Sequence, residues 1–318
     1  MADALIGRLD QTIDLILAGR DATAALADAE LSPLAVLASE LRWCPSPAFR
    51  ARLRASLERR TMMSMVLEKA KTREGFTTVT PYLRVREGGL LEFLTKVFGA
   101  VETSVANMGG DSVLREVRVG DSMLMIGEGG REGIVAFAPA AFHVHVPDVD
   151  AVYDRAMAAG AKSLGAPQDH TYGERAGYIE DGFGNHWYIA THLGPSPVPQ
   201  GHRTVTPFIH PRGVPSYIDF LTRAFGAVEE FRHEVEGVVK HARIRIGDAA
   251  IEMGDTEGQS EPMKSAFYLY VADCDALYQQ AVSAGATPLS PPVDRPYGDR
   301  VGAVKDAMGI TWCIARPV

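Results

Sequence analysis

Two hydrophobic periodicities alternate along residues 76–318. Val79 to Val85 alternates apolar and polar positions as a half-buried strand does, and Gly89 to Phe98 sets Leu90, Phe93, Leu94 and Val97 on one helical face before Gly99 stops it. Ser112–Val119 and Ser122–Ile126 alternate about Gly120-Asp121, the pattern of a hairpin. The pattern then restarts, with a strand over Phe142–Val146 and a helix over Val149–Ala159, entered at Asp148 and closed by Gly160. Two further strands end near Ile189, after the turn Asp181-Gly-Phe-Gly184. Residues 76–193 therefore predict two βαβββ units.

The whole block recurs. Thr78-Val-Thr-Pro-Tyr-Leu83 returns as Thr204-Val-Thr-Pro-Phe-Ile209, and Arg118-Val-Gly-Asp121 as Arg245-Ile-Gly-Asp248. Tyr172-Gly-Glu-Arg175 returns as Tyr297-Gly-Asp-Arg300, and Trp187 as Trp312, so the copies differ by single-residue insertions. A repeat fixes domain count better than length does. It predicts one domain over 76–193, a stiff Pro- and Gly-rich linker over 194–202, and a second domain over 203–318. Residues 1–75 lie outside it and read as three helices, Leu5–Leu17, Ser32 to Leu41 and Phe49 to Leu67.

Composition narrows the class. Of 318 residues, 46% are apolar and 23% charged, an ordinary globular balance that excludes collagen-like and mostly disordered chains. No apolar run reaches the length of about 18 residues that a membrane span needs, and the start lacks a basic region followed by an apolar core, so the expectation is a cytoplasmic protein without membrane contact. Three cysteines, far apart in sequence, suggest neither a disulfide framework nor a Cys-rich zinc site. The net charge of −8 argues against nucleic acid as a partner. Residues 1–75 hold 11 basic and 10 acidic residues, and their basic stretch, Arg42 to Arg73, is either a solvated helix face or a surface for a protein partner or self-association.

Four βαβββ units in two tandem copies resemble the vicinal oxygen chelate superfamily of glyoxalase I, bleomycin-resistance proteins and extradiol dioxygenases. The carriers are Phe-Gly-Ala closing the first helix, Asp-Val-Asp-Ala before the second, Ala-Gly-Ala after it and Asp-x-x-Gly-x-x-Trp at the last strand. Thr-Val-Thr-Pro-Tyr/Phe and Gly-Asn-His-Trp-Tyr-Ile-Ala-Thr look most like its metal-poor, PhnB-like branch. The resemblance implies an α+β fold whose paired units curl their sheets into a cup, with helices outside and the ligand inside. Enzymatic members hold a divalent metal with His or Gln on the first strand, Glu on the fourth, His on the fifth and Glu on the eighth. Here those places are Thr80, Met125, Ala141 and Tyr188 in the first copy and Thr206, Glu252, Ala266 and Cys313 in the second. One carboxylate in eight positions departs from that pattern, so no cofactor is expected of the family's type.

Strand alternation sends every second side chain into the cup. In the first copy this selects Tyr82, Arg84, Glu116, Arg118, Met123, Met125, His143, His145, His186 and Tyr188. In the second it selects Phe208, His210, His241, Arg243, Arg245, Glu252, Tyr268, Tyr270 and Cys313. Aromatic rings, adaptable Met and orienting Arg or His make the mixture of a small-molecule site. Arg243 and Arg245 suit an anionic ligand, or else pair with Glu252 or are simply exposed. His143, His145 and His186 converging with Glu116 form either a hydrogen-bonded polar pocket or a divalent metal site. Trp187 and Trp312 have the opposite parity and should pack under helices. Tyr172-Gly-Glu-Arg175 and its repeat read as a structural clasp, with an acid–base pair at the cup rim as the alternative. The leading reading is metal-independent binding of a small aromatic or anionic molecule, of the resistance or sequestration type. The rival is a lyase, isomerase or cyclase using the His-rich site of the first copy. Whether a cup forms within one copy or by exchange of units between copies stays open at this level.

Overall fold

In the computed structural model the described residues are 75–318 without 132, 200 and 257–261, together with positions 7, 8, 11, 12, 14, 15 and 72. The six earliest are helical, within the helix expected over Leu5–Leu17; the other two helices expected in 1–75, and the partner surface expected there, lie outside the described residues. Ser64–Val318 is one compact unit.

Four βαβββ units follow one another. The first is β1 (Val79–Val85), α1 (Leu90–Phe98), β2 (Val101–Gly109), β3 (Ser112–Val119) and β4 (Ser122–Glu128). The second is β5 (Ala141–His145), α2 (Val149–Ala158), β6 (Lys162–His170), β7 (Glu174–Glu180) and β8 (His186–His192). The third is β9 (Val205–Ile209), α3 (Val214–Phe225), β10 (Val228–Val235), β11 (Val238–Ile246) and β12 (Ala249–Met253). The fourth is β13 (Ala266–Tyr270), α4 (Cys274–Ser283), β14 (Thr287–Asp294), β15 (Asp299–Lys305) and β16 (Thr311–Pro317). The α+β fold with two mixed sheets is as the family resemblance implies.

The pairing of units is what the sequence leaves open. One eight-stranded sheet runs β14-β15-β16-β13-β1-β4-β3-β2 and the other β10-β11-β12-β9-β5-β8-β7-β6. The first unit joins the fourth, and the second joins the third, so each cup draws on both copies. The central seams are antiparallel, Thr80 opposite Tyr268 in one sheet and His143 opposite Thr206 in the other. Listing cup residues copy by copy therefore divides them wrongly: Tyr82, Arg84, Glu116 and Met125 share a sheet with Tyr268, Tyr270 and Cys313, while His143, His145, His186 and Tyr188 share one with His241, Arg243 and Glu252.

Two repeated motifs join these sheets. The Thr78 amide donates to Asp248 Oδ1 at 2.7 Å, and the Thr204 amide donates to Asp121 Oδ1 at 2.8 Å. The preceding Gly247 and Gly120 turn at φ 59° and 58°, and a Cβ at either would collide with the Thr78 or Thr204 hydroxyl. That double constraint is why Gly-Asp recurs in step with Thr-Val-Thr-Pro.

The opposite face of each sheet carries the helices. Leu90, Phe93, Leu94 and Val97 of α1 pack with Phe142, Val144, Trp187 and Ile189, which have the parity opposite to the cup. Asp181 explains the Asp-x-x-Gly-x-x-Trp motif: its carboxylate accepts from the amides of Phe183 and Asn185 and from Trp187 Nε1, and Asp306 accepts from Met308, Ile310 and Trp312 in the same way. Each buried indole N–H thus has its partner. The edge strands β2 and β10 are exposed along their whole length and show no clean alternation.

Candidate functional site

Every second residue of β5, Ala141, His143 and His145, faces the cup made by β5–β12. Glu174 and Tyr178 of β7, Tyr188 of β8, Phe208 of β9, His241 and Arg243 of β11 and Glu252 of β12 join them. At the floor, His143 Nδ1 lies 2.8 Å from Glu252 Oε2 and its Nε2 lies 3.5 Å from Glu174 Oε2. His145 Nε2 lies 3.0 Å from Glu174 Oε1. Glu252, 1% exposed, also receives His202 Nε2 at 3.1 Å and has His241 Nε2 at 3.5 Å. Arg243 Nη1 lies 3.0 Å from His202 Nε2, and its Nε reaches Glu230 at 3.1 Å. His145 is buried, and its Nδ1 has no hydrogen-bond partner among the described residues.

The electrostatics follow from that packing. Burial alone would lower the pKa of His143, but Glu252 and Glu174 outweigh it and hold the imidazole up at about 10. Burial likewise pulls the two carboxylates up, and the surrounding histidines reverse it, keeping Glu174 below its ordinary range and Glu252 well below. His145 shifts the other way, lowered by burial and by the charge on His143 against the pull of Glu174. The floor is a carboxylate–imidazole–carboxylate bridge, Glu174–His143–Glu252, with a second imidazole beside it.

Above the floor stands an aromatic wall. Tyr178 and Tyr188 have centroids 5.4 Å apart, Tyr188 and Phe208 5.1 Å, and Phe208 and His210 4.8 Å. Phe208 is parallel to His241, and Phe231 follows with 48% of its surface exposed. Burial, helped by His186, pushes His210 down to about 4, and its Nε2 shares a hydrogen bond with the Tyr188 hydroxyl at 3.1 Å. Half-exposed rings over a buried ionic floor can stack a planar molecule and grip its polar end.

The other cup is filled. Tyr268, Tyr270, Met123, Met125, Cys313 and Phe76 form a buried cluster, with Tyr82 and Leu114 against it. Burial pushes the Cys313 thiol up to about 12, which removes it as a nucleophile at neutral pH. Arg84 bonds the carbonyls of Gly129 and Arg131 under the Phe137 ring, and Arg118 turns to Gly120. Glu116 pairs with Met125 in this sheet, so it does not converge with His143, and His186 faces Glu180 at 3.4 Å instead of the floor. Exchange of units between copies removes Glu116, whereas His186 shares the sheet of His143 but lies level with Ala141 and opposite Glu180, one cup position short of Tyr188, which is level with His143. Arg243 and Arg245 both pair with Glu230, at 3.1 and 2.5 Å, and not with Glu252, the partner the sequence suggests.

The motif Tyr172-Gly-Glu-Arg175 divides its labour. Arg175 clasps Asp150 and Asp169, as Arg300 clasps Asp275 and Asp294, while the adjacent Glu174 turns into the cup. Sequence reasoning carried Glu174 only within the alternative acid–base pair at the rim and missed its place at the floor, which alternation along β7 from Tyr178 would have found. It also missed His202, whose place in the linker gives no periodic signal.

The family's metal positions in this cup are Ala141, Tyr188, Thr206 and Glu252, and only Glu252 among them is a metal donor of that pattern. They do not fit the family's ion. A different set, His143, His145 and Glu174, presents ligand atoms all within 4.8 Å of one another, near enough that they could hold a metal ion. Two imidazole nitrogens and a carboxylate suit a divalent ion that would act as a Lewis acid on a bound oxygen.

Comparison with known proteins agrees with this architecture. A structure of a glyoxalase I variant from Zea mays superposes with a TM-score of 0.61 at 13% identity, covering 81% of this chain and 96% of that one. A putative dioxygenase of Bacillus subtilis gives 0.50 at 13% identity over 74% and 83% of the two chains. At such identities the likeness is one of fold. An uncharacterised protein of Mycobacterium bovis is 36% identical over 115 residues, 32% of this chain and 76% of the relative. Among the described residues no helix is long and apolar enough to cross a membrane. The family model matches residues 90–189 and again 212–314, one match per copy, and the chain belongs to the Glyoxalase/Bleomycin resistance protein/Dioxygenase superfamily.

Proposed function

We propose that the chain is an enzyme of the lyase or isomerase kind, which takes a small planar organic molecule, aromatic or anionic, into the β5–β12 cup. The observation that carries this reading is the bridge Glu174–His143–Glu252 at the foot of the aromatic wall. Burying carboxylates costs several kcal/mol per ion, on the order of what a whole domain has to spare. A cup that only sequesters a ring has no use for a bridge of two carboxylates through an imidazole, and the sibling cup, which buries the single carboxylate of Asp299, has no histidine in its cluster. Tyr188, Phe208 and Phe231 would stack the ligand. Glu252 holds the proton at His143 Nδ1, which turns Nε2 toward Glu174 and the ligand's polar end. Groups so placed suit proton transfer to or from a bound carbon acid.

The sequestration reading rests on a separate observation, the half-exposed rings, which would bind a ligand equally well without chemistry. An experiment in D2O divides the two. Small aromatic carboxylates and 2-oxo acids are incubated with the full chain and followed by proton NMR. Broadened ligand signals report binding, and loss of a C–H signal reports proton abstraction. Exchange that disappears in Glu174→Gln supports the enzyme; binding without exchange or turnover across the panel contradicts it in favour of sequestration.

A further inference from the structure

The His-rich floor carries an arrangement that the family's metal positions do not account for. His143 and His145 stand on one face of β5, two and four residues beyond Ala141, and Glu174 enters from β7, a strand that supplies no ligand in the family pattern. Their ligand atoms converge within 4.8 Å. Glu252, which does occupy a family position, is engaged otherwise: it binds His143 Nδ1 at 2.8 Å and His202 Nε2 at 3.1 Å, on the far side of the His143 ring from Glu174.

We infer that His143, His145 and Glu174 form a site for a divalent transition-metal ion displaced from the family's positions, with Glu252 moved from ligand to the carboxylate that orients His143. Three things favour this over a closed hydrogen-bond cluster. Metal-bound imidazoles almost always give their second nitrogen to a carboxylate, carbonyl or water, which fixes the tautomer and aims the donor nitrogen. The Glu252 contact does this for His143 and leaves Nε2 facing Glu174. His145 has a buried Nδ1 without a partner among the described residues, on the side of the ring away from the Nε2 that faces Glu174, so the closed hydrogen-bond network also leaves a polar atom unpaired. Two imidazoles with one carboxylate select zinc, iron, cobalt, nickel or manganese over magnesium or calcium. Three protein ligands leave a coordination position toward the aromatic wall, as a catalytic site requires and a structural zinc site does not.

This inference deepens the proposed function and shares its cup, yet it is tested without a substrate. The full chain is stripped with a chelator and titrated with Co²⁺ alone, with elemental analysis for stoichiometry and visible absorption for the ligand set. One ion per chain is expected. His145→Ala and Glu174→Gln should abolish binding. Glu252→Gln should weaken it about 10- to 100-fold without abolishing it. Thr206→Ala, at a family position, should leave it unchanged. Paramagnetic shifts of the His143 and His145 ring protons in the unaltered chain give the same answer if a variant does not fold. No binding by the unaltered chain, or binding that survives both His145→Ala and Glu174→Gln, overturns the inference, and loss in Glu252→Gln as complete as in Glu174→Gln overturns the role given to Glu252. Proton exchange by metal-stripped protein that binds no Co²⁺ would remove this inference and leave the proposed function standing; Co²⁺ binding without exchange would do the reverse.

Discussion

On the floor of the β5–β12 cup stand His143, His145, Glu252 and His202. At the repeat-equivalent places of the other cup stand Tyr268, Tyr270, Met125 and Phe76. Tyr188 answers to Cys313, and His241 to Leu114. One scaffold has been filled twice, once with charge and once with apolar bulk. The backbone positions are shared, so the difference lies in side-chain chemistry alone. Where the apolar set stands, Tyr268 and Tyr270 are buried in a packed cluster and Tyr297 at its rim is 37% exposed; where the ionic set stands, Phe231 is 48% exposed. Apolar side chains gain by meeting one another, whereas a buried ionic cluster keeps unused hydrogen-bonding and coordinating capacity that a ligand can satisfy.

The comparison breaks most visibly at Glu252. Glu252→Ala leaves His143 and His202 buried without their acceptor, and a loss of about 3–5 kcal/mol in urea unfolding is expected. Met125→Leu, at the matching place, conserves volume and should cost less than about 1.5 kcal/mol. Equal losses would mean that the ionic floor is not energetically distinct. A smaller effect of opposite sign is expected when the floor is converted wholesale. The variant His143→Tyr, His145→Tyr, His202→Phe, Glu252→Met, with Glu174→Asp, copies the tyrosine-filled cup. Replacing a buried ionic cluster by packed apolar groups is often neutral or stabilising by about 1–4 kcal/mol. The same urea measurement should therefore show no loss, together with complete loss of Co²⁺ binding. Strong destabilisation would show that the two cups are not interchangeable shells.

Much of this architecture was legible from alternation and repetition. The strand Val79–Val85 and the helix from Leu90 to Phe98 match the hydrophobic pattern because each has one face against the core, and Trp187 and Trp312 follow from parity for the same reason. Edge strands such as β2 and β6 were harder to see, since a strand exposed on both faces has no alternation to read. Parity also identified which side chains enter a cup, yet could not say which cup, because that depends on long-range pairing of β5 with β9 and of β1 with β13. Glu116 was grouped with His143 for this reason alone. Glu174 was hidden inside a motif whose arginine has a structural role, and His202 inside a linker that reads as a spacer.

The central claim is that the ionic, half-open cup receives the ligand and the tyrosine-filled cup does not. A crystal structure of the full chain soaked in benzoate, a small planar aromatic anion, tests it most directly. The account predicts benzoate density against Tyr188 and Phe208 with its carboxylate toward the His143 floor, and an unchanged cluster around Tyr268 and Tyr270. Density among Tyr82, Tyr268 and Cys313, with the His143 cup empty, would contradict it.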